Sequence, residues 1–294
     1  MSFGAGTQST ALALMVLQKH ELLTERAGVG VSTPWPELFL FADTGDEPRA
    51  VYRHLWKLAS MFAEADHAQL RIVRRGQKSL SEHVLYKAES GEGGMATPPF
   101  FVGEKGNGIP IGRSCTTEFK ARPLDRAAKQ YGRDKYGQSS FWAHQWFGIS
   151  NDEKHRMREP DRHDRKWRQY VYPLVRMGWT RWHCIQFLKE QTYSDGTPVE
   201  IVRSACVFCP FHDQEEWRHI ADHPEDWERA KKFESQVHEI YEREDGFAGI
   251  RKKPHLTRTV EPLDEYDLEV DDRQVDLWKE YTTGMHQCAG HCGV

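Results

Sequence analysis

Small and hydroxyl residues open the chain and run directly into a strongly apolar stretch. Gly4 and Gly6 allow backbone conformations and close approaches that a side chain would prevent. Ser9 and Thr10 can cap the start of a helix and leave backbone N–H groups pointing outward. Unpaired amides and the helix dipole both favour an anion, so this pattern predicts a phosphate-binding turn before a helix. The alternative is an ordinary glycine-rich turn without a ligand.

A second candidate group follows a predicted buried strand over residues 38–42. Asp43 and Thr44 stand at its end, where open α/β sheets bind their ligands, and Asp43 is a candidate catalytic carboxylate. Helical spacing over residues 48–65 and a further strand over 70–73 come next. This strand–helix–strand alternation predicts a parallel sheet covered by helices, and therefore an α/β fold.

Another pair of carboxylates follows the strand predicted over residues 142–149. Asp152 and Glu153 are the candidate catalytic carboxylates, and coordination of Mg²⁺ is the chemistry that they suit. Arg156 follows closely, and a guanidinium there could contact a phosphate. The alternative is that residues 154–168 are simply a solvated charged loop.

The spacing of cysteines predicts a metal centre. Cys206 and Cys209 form a Cys-x-x-Cys pair, which lets two thiolates converge on one metal ion or cluster. Cys115 is the natural third ligand, and Cys288 or Cys292 could be the fourth. A [4Fe–4S] cluster and zinc both accept sulfur ligands, and the spacing does not separate them. Without a metal, the pair would be buried small hydrophobic side chains or a redox dithiol.

Bulk composition limits the class of protein. The chain has 294 residues, a formal net charge of −4 and six cysteines, with a mean hydropathy of −0.73. We expect no membrane-spanning segment and no secretory signal, which makes the cytoplasm the expected compartment. In that reducing setting, cysteines serve as ligands or reactive thiols more often than as disulfides. Cys184 is the exception, since it falls in an apolar helix and is expected to be core.

The rest of the chain divides at a change in composition. Residues 76–112 contain many glycines and prolines and are predicted to be irregular. Helices rich in Trp, Glu and His are predicted over 214–245, and a last helix near 272–282. We therefore expect a nucleotide-binding α/β domain over 1–200 and a cysteine-containing helical region over 201–294.

Together these motifs resemble the PP-loop ATP pyrophosphatase superfamily, in its phosphoadenosine-phosphosulfate-reductase-like branch, over most of residues 2–211. The family loop reads Ser-Gly-Gly-x-Asp-Ser, and the segments that match the family stand in its order. They are residues 4–10, Phe41 to Gly45, Cys115 to Leu124, Gly148 to Glu153, Tyr172 to Leu174 with Trp179-Thr180, and Cys206 to Pro210.

The resemblance implies an open, mostly parallel, doubly wound sheet of the adenine nucleotide α-hydrolase type, with a helical C-terminal extension. It also implies that ATP and Mg²⁺ bind at the carboxyl edge of this sheet. The nucleotide-binding residues that it indicates are Gly4, Ala5, Gly6, Thr7, Gln8, Ser9, Thr10, Asp43, Thr44 and Gly148.

Several positions of the loop depart from the family, and three of them bear on its chemistry. Gly4 replaces the serine, Thr7 stands where lysine is common, and Gln8 replaces the aspartate. A glutamine supplies no carboxylate to a metal, so we expect phosphate to be held by backbone amides and by the hydroxyls of Ser9 and Thr10. The carboxylates left for Mg²⁺ are Asp43, Asp46, Asp152 and Glu153.

Two enzymatic functions and one non-catalytic function are consistent with this resemblance. The first is an ATP pyrophosphatase that adenylates a nucleic acid for sulfur insertion, as in DNA phosphorothioation or tRNA thiolation. It implies DNA or tRNA as substrate and a cysteine desulfurase or other sulfur donor as partner, and the chain could form a homo-oligomer. The second is a sulfonucleotide reductase with Cys292 as its nucleophile. The third is a nucleotide-binding partner without catalytic activity.

Overall fold

The computed structural model describes residues 1–91, 96–137, 141–244 and 246–269. Within these residues the protein is a mixed α/β structure with parallel pairs of strands. The helix predicted near 272–282 lies outside the described residues, as do Cys288 and Cys292. Among the described helices, none combines the length and apolar character that crossing a bilayer requires.

The helices and strands alternate through the first two thirds of the chain. The helices are α1 (Thr7–Leu17), α2 (Glu21–Ala27), α3 (Arg49–Ala63), α4 (Leu80–Ser90), α5 (Arg122–Tyr136), α6 (Pro173–Arg176), α7 (Arg181–Lys189), α8 (Gln214–Ala221) and α9 (Pro224–Glu244). The strands are β1 (Leu38–Ala42), β2 (Gln69–Val73), β3 (Phe100–Glu104), β4 (Asn107–Ile111), β5 (Ala143–Trp146) and β6 (Arg168–Val171).

Residues 1–3 join the two parallel pairs of strands. β1 pairs with β2, and β5 pairs with β6, both in parallel. The amide of Phe3 donates to Leu40 in β1 at 2.9 Å, and the amide of Ser2 donates to Trp146 in β5 at 3.0 Å. Main-chain hydrogen bonds of residues 2 and 3 therefore link the two pairs, and the glycine-rich loop follows directly.

Helix α1 is buried on all sides. Every residue of α1 except Leu17 is buried, because a helix that is apolar around its whole circumference packs only in an interior. It lies against α7 on one side. Phe3, Phe39 and Phe62 form an aromatic group in the same core, with ring centroids 4.7 to 6.4 Å apart. The loop that precedes α1 is thereby fixed in place by the core of the protein.

The prediction that residues 76–112 are irregular is wrong. They contain α4 and a hairpin of β3 and β4. The helix begins at a capping box, in which Ser79 Oγ accepts from the amide of Glu82 at 3.2 Å and Glu82 accepts from the amide of Ser79 at 2.8 Å. The hairpin turns at Gly106, where φ is +85°. The glycines and prolines of this segment mark the ends of elements rather than their absence.

Other predicted elements are confirmed with small shifts of their ends. The strands at 38–42 and 70–73 are β1 and β2, and the helix at 48–65 is α3. The strand predicted over 142–149 is shorter, because only Ala143–Trp146 pairs as β5. Cys184 is fully buried in α7, as expected for a core residue.

A second hydrophobic cluster lies around the C-terminal helices. It contains Trp217 of α8 and Phe233 of α9, together with Phe208 from the cysteine turn. Val84 of α4 and Phe100 of β3 belong to it as well. The segment between β2 and α5 therefore packs with the C-terminal helices, on the side where the predicted cysteine ligands lie.

Candidate nucleotide site and cysteine cluster

The glycine-rich loop ends in a tight turn at the start of α1. Gly6 is the N-cap residue and has an extended backbone conformation. Ser9 Oγ accepts from the amide of Gly6 at 3.1 Å and donates to its carbonyl at 3.0 Å. The amides of the first helical turn have no acceptor within the helix itself. The loop is therefore held rigid beside the end of a helix that favours an anion.

Ala5 adopts a backbone conformation that is unusual for its type. Its φ is +54°, in the left-handed region, and its side chain is fully buried. A residue with a Cβ pays roughly 1 kcal/mol or more for this conformation. Strained backbone of this kind is concentrated at functional sites. The PP-loop family that the sequence resembles carries glycine at this position.

Thr10 lies farther into the core than the other loop residues. Its Oγ1 is 2.9 Å from His54 Nε2, and His54 Nδ1 is 2.6 Å from the hydroxyl of Tyr193. Both Thr10 and His54 are buried. The predicted contact between the Thr10 hydroxyl and phosphate would replace this hydrogen bond.

Gly148 lies directly against the loop, although 139 positions separate it from Ser9 in the sequence. A Cβ built on Gly148 would be 2.9 Å from Ser9 Cα and 3.0 Å from Ser9 N. Two residues later, Ser150 Oγ accepts from Gln8 Nε2 at 3.5 Å. The structure thus brings together the first and the fourth of the predicted motifs, and only glycine fits at their contact.

Asp152 connects this motif to α7 and, through it, to the loop. Its carboxylate oxygens accept from the amide of Arg181, each at 3.2 Å. The guanidinium of Arg181 in turn donates to Gln8 Oε1 at 3.3 Å. Glu153 and Arg156 are placed differently: they form a buried ion pair at 2.9 Å. Asp152 therefore faces the loop through Arg181, whereas Glu153 and Arg156 neutralise each other.

A cleft of about 1000 Å³ opens beside the loop. The start of α1 approaches its wall, since Thr7 Oγ1 donates to the carbonyl of Val202 at 3.4 Å. Trp182 and Ile201 are exposed on the cleft and offer apolar surface. The charged residues that line it include Asp152, Arg181, Arg203, Asp213, Glu216 and Arg218. Such a lining of guanidinium and aromatic groups suits a phosphate-bearing ligand with a flat base.

The carboxylate of Asp43 accepts hydrogen bonds from several groups around the end of β1. Its Oδ2 lies 2.6 Å from the guanidinium of Arg74, and its Oδ1 accepts from the hydroxyl of Tyr52 at 2.8 Å. The amide of Gly45 also donates to it at 2.8 Å. Burial and the nearby Asp43 carboxylate raise the pKa of Tyr52 above its usual range. If Asp43 takes part in catalysis as predicted, it does so while paired with the guanidinium of Arg74.

The other carboxylates of this strand end are buried as well. Asp46 accepts from the amide and from the hydroxyl of Ser81, both at 2.8 Å, and burial raises the pKa of its carboxyl. Glu47 accepts from Lys120 Nζ at 3.2 Å and from Ser204 Oγ at 2.9 Å. Lys120 follows Cys115, and Ser204 precedes Cys206, so Glu47 ties both cysteine segments to the end of β1.

The cysteine turn contacts the same strand end directly. Thr44 Oγ1 lies 3.3 Å from Cys206 Sγ, and the amide of Val207 donates to the carbonyl of Asp46 at 2.8 Å. Cys209 closes the turn through its amide, which donates to the carbonyl of Cys206 at 2.9 Å. The predicted nucleotide residue Thr44 is therefore also the neighbour of a predicted metal ligand.

Three of the predicted sulfur ligands lie in one buried region. Cys115, Cys206 and Cys209 all belong to the second hydrophobic cluster. Burial raises the pKa of each of the three thiols, while the ammonium of Lys120 favours their thiolates. Cys288 and Cys292, the other predicted ligands, lie outside the described residues.

A different group of potential metal ligands lies close together. In the part of the chain that the structure describes, the one group of three with its ligand atoms all within 4.8 Å of one another is Glu234, His238 and His255. Sequence reasoning did not identify this triad, although Glu234 and His238 have the i, i+4 spacing of one helix face.

Two further residues of the site carried no recognisable signal in the sequence. Arg181 joins Asp152 to Gln8, and Arg74 pairs with Asp43. Each belongs to an element far from its partner in the chain, so only the packing of the sheet and α7 brings them to the site.

The chain was compared with protein families, with curated proteins and with solved structures, and none of the three comparisons gave a match. The likeness to the PP-loop superfamily therefore depends on the motifs in the sequence.

Proposed function

We propose that the protein is an ATP pyrophosphatase that adenylates a nucleic-acid substrate and so activates it for sulfur insertion. The observation that supports this proposal best is the convergence of Gly148, Asp152 and Arg181 on the loop at the start of α1. In this proposal, β1, β2, β5, β6 and residues 1–3 belong to one open, doubly wound sheet. The loop then leaves its carboxyl edge, where such sheets bind ligands.

Nucleotide binding would use the main chain more than the side chains. The first-turn amides of α1 and the helix dipole favour the phosphates. Arg181 is held beside the loop by Gln8 and adds a positive charge at this point. The adjoining cleft, with the exposed Trp182, is large enough for the remainder of the nucleotide and the end of a second substrate.

Asp152 is the carboxylate that fits Mg²⁺ best. It accepts only from the amide of Arg181 among the hydrogen bonds found for its side chain, so lone pairs remain on both oxygens. Asp43, Asp46 and Glu47 are each already engaged by two or more donors. Magnesium takes few protein carboxylates and keeps its phosphate and water ligands, so one such carboxylate is sufficient.

The cysteine region would hold a [4Fe–4S] cluster in this proposal, with zinc as the alternative. Thiolates bind both kinds of centre. Cys115, Cys206 and Cys209 would hold three corners, and Lys120 would offset their negative charge. When bound, such a cluster supplies an iron site to which sulfur can attach. Thr44 links this region to the end of β1 through its contact with Cys206.

A basic depression on α5 supports a polyanionic substrate. It measures about 390 Å³. The residues that line it are Arg122, Asp125, Arg126, Lys129 and Arg133. Guanidinium and ammonium groups along one helix face bind a phosphate backbone irrespective of sequence. DNA or tRNA would be the substrate, a cysteine desulfurase the sulfur donor, and the cytoplasm the compartment that keeps the thiols reduced.

The proposal is tested by measuring turnover of ATP. We expect AMP and pyrophosphate to form with Mg²⁺, and faster in the presence of DNA or tRNA. Asp152→Asn should reduce this rate by about 100-fold or more, whereas the exposed Asp66→Asn should not change it. Reduction of adenylyl sulfate with thioredoxin and no pyrophosphate release would instead show a reductase. Nucleotide binding without any turnover would show a non-catalytic partner, and either result rejects the proposal.

The cluster is tested separately by anaerobic purification. We expect about four iron atoms and four acid-labile sulfides per chain, with the visible charge-transfer absorbance of an iron–sulfur cluster. Cys206→Ser should abolish this absorbance, and Cys184→Ala in the core should retain it. A preparation that contains zinc alone, or no metal, would contradict the assignment.

A further inference from the structure

A glutamate and two histidines meet where α9 packs against the segment that follows it. Glu234 and His238 stand one turn apart on α9, and His255 comes from the later segment. One ligand atom from each side chain lies within 4.8 Å of the other two. Glu234 is 3% exposed and His255 is 7% exposed. Polar groups buried together in this way need partners.

Hydrogen bonds prepare two of the three side chains. His238 Nε2 lies 2.9 Å from the carbonyl oxygen of Pro254, which can only accept, so Nε2 carries the proton and Nδ1 has a free lone pair. Glu234 Oε1 accepts from the amide of Leu256 at 2.9 Å, and Oε2 accepts from the amide of Leu263 at 2.6 Å. Each oxygen keeps a second lone pair. Carbonyl and amide groups of this kind orient the ligands of metal sites.

The third side chain, that of His255, has a polar atom without a hydrogen-bond partner among the described residues. This atom is Nδ1, and it is buried. Burial, with Lys253 nearby, lowers the pKa of both imidazoles, that of His238 to about 4.

We propose that Glu234, His238 and His255 bind a divalent first-row transition metal ion, with Zn²⁺ as the representative case. Two imidazole nitrogens and one carboxylate oxygen are a donor set that zinc and iron(II) both accept. Tetrahedral ligands stand about 3.4 Å apart, so closing on the ion takes movements of about an ångström by the side chains. Three protein ligands leave one coordination position for water or another ligand.

The ion would link α9, the segment that contains His255 and the hairpin of β3 and β4. Glu234 and His238 belong to α9, and His255 belongs to the segment that Glu234 already holds at Leu256. The main chain of His255 pairs with Phe101 of β3 in both directions, at 2.9 and 2.8 Å. Metal binding therefore stabilises the hairpin of β3 and β4 against α9, and this role does not depend on ATP or on the cysteines.

The test uses the full-length protein, stripped with a chelator and titrated with Co²⁺ and Zn²⁺. We expect one equivalent of Co²⁺ to bind with visible bands of a nitrogen and oxygen site and without sulfur charge transfer. Zn²⁺ should displace it and raise the Tm. His238→Gln and Glu234→Gln should each weaken this binding by about 100-fold or more, and the matched controls His223→Gln and Glu239→Gln should not.

Two further measurements do not use the Glu234 and His238 variants. X-ray absorption at the zinc edge of the wild-type protein should show two imidazoles and no sulfur at this site. A Cys115→Ser, Cys206→Ser, Cys209→Ser variant should keep the same signal. A spectrum dominated by sulfur, equal binding in the His238 and control variants, or no binding by the wild-type protein would each overturn the proposal and leave the ATP-dependent function untouched.

Discussion

The ammonium of Lys120 lies 3.2 Å from the carboxylate of Glu47, in the interior of the protein. Glu47 is completely buried. Burial by itself would lower the pKa of Lys120. The electrostatic attraction of Glu47 and of the Cys206 sulfur outweighs this effect, so the pKa of Lys120 is raised above its usual range. This pair connects the end of β1 to the short π-helical segment Thr116–Ala121 that follows Cys115, and it is the charged link between the candidate nucleotide site and the cysteine cluster.

Lys120→Met should destabilise the protein strongly. The substitution leaves Glu47 buried without a cation, which costs about 3–5 kcal/mol in the free energy of unfolding. The double variant Lys120→Met, Glu47→Gln should recover a large part of that loss, because no charge is then left unpaired. Urea denaturation measures both values.

The control for this prediction is Lys105→Met. Lys105 pairs with Glu261 at the surface, and its side chain is 76% exposed, so its removal should leave the free energy of unfolding almost unchanged. Equal effects of the two single substitutions would contradict the structural role of the buried pair.

Gly148→Ala should disturb the loop at the start of α1. The new methyl group would stand 2.9 Å from Ser9 Cα, which is backbone and cannot rotate away. We expect a loss of about 1–3 kcal/mol in stability and weaker ATP binding by equilibrium dialysis. Gly76→Ala is the matched control, because a Cβ there meets no atom within 4 Å. If Gly148→Ala binds ATP like the wild type, the loop is not the phosphate site.

Ala5→Gly should be tolerated, unlike an alanine-to-glycine change elsewhere. Glycine relieves the strain at φ +54°, and this gain of about 1 kcal/mol offsets the greater entropy of glycine in the unfolded chain. Ala13→Gly, inside α1, relieves no strain and should cost about 1 kcal/mol. Thermal denaturation of the two variants compares them. A larger loss for Ala5→Gly than for Ala13→Gly would show that the left-handed conformation is not present.

His54 should make stability depend on pH. Burial lowers its pKa to about 4, below the usual value of about 6.5 for a histidine in an unfolded chain. The folded state therefore favours the neutral ring, so its contribution is complete above about pH 6.5 and is lost as the pH falls towards 4. The loss amounts to at most about 3 kcal/mol.

His54→Asn should remove this part of the pH dependence. Between about pH 7 and 4 its free energy of unfolding should fall by up to about 3 kcal/mol less than that of the wild type. Denaturation at several pH values measures the two slopes. The exposed His219→Asn should keep the wild-type slope, and identical profiles for His54→Asn and the wild type would refute the assignment.

Local pattern was sufficient to predict many of the elements. β1, β2 and α3 follow from apolar runs and helical spacing, which depend on neighbours a few residues away. The same reasoning failed over residues 76–112, where it gave weight to glycine and proline and missed the capping box at Ser79. Proline and glycine mark both ends of elements and loops, so they do not decide between them.

Residue type and order determined which groups are available: the glycine-rich loop, the Asp43 and Asp152 carboxylates, and the Cys206 and Cys209 pair. The tertiary structure alone decided which of them meet. Asp152 faces the loop through Arg181, whereas Glu153 is occupied by Arg156. Glu234 and His238 become candidate metal ligands because the segment after α9 places His255 beside them. Such contacts join residues far apart in the chain, and they form only when burial of the two hydrophobic clusters brings their elements together.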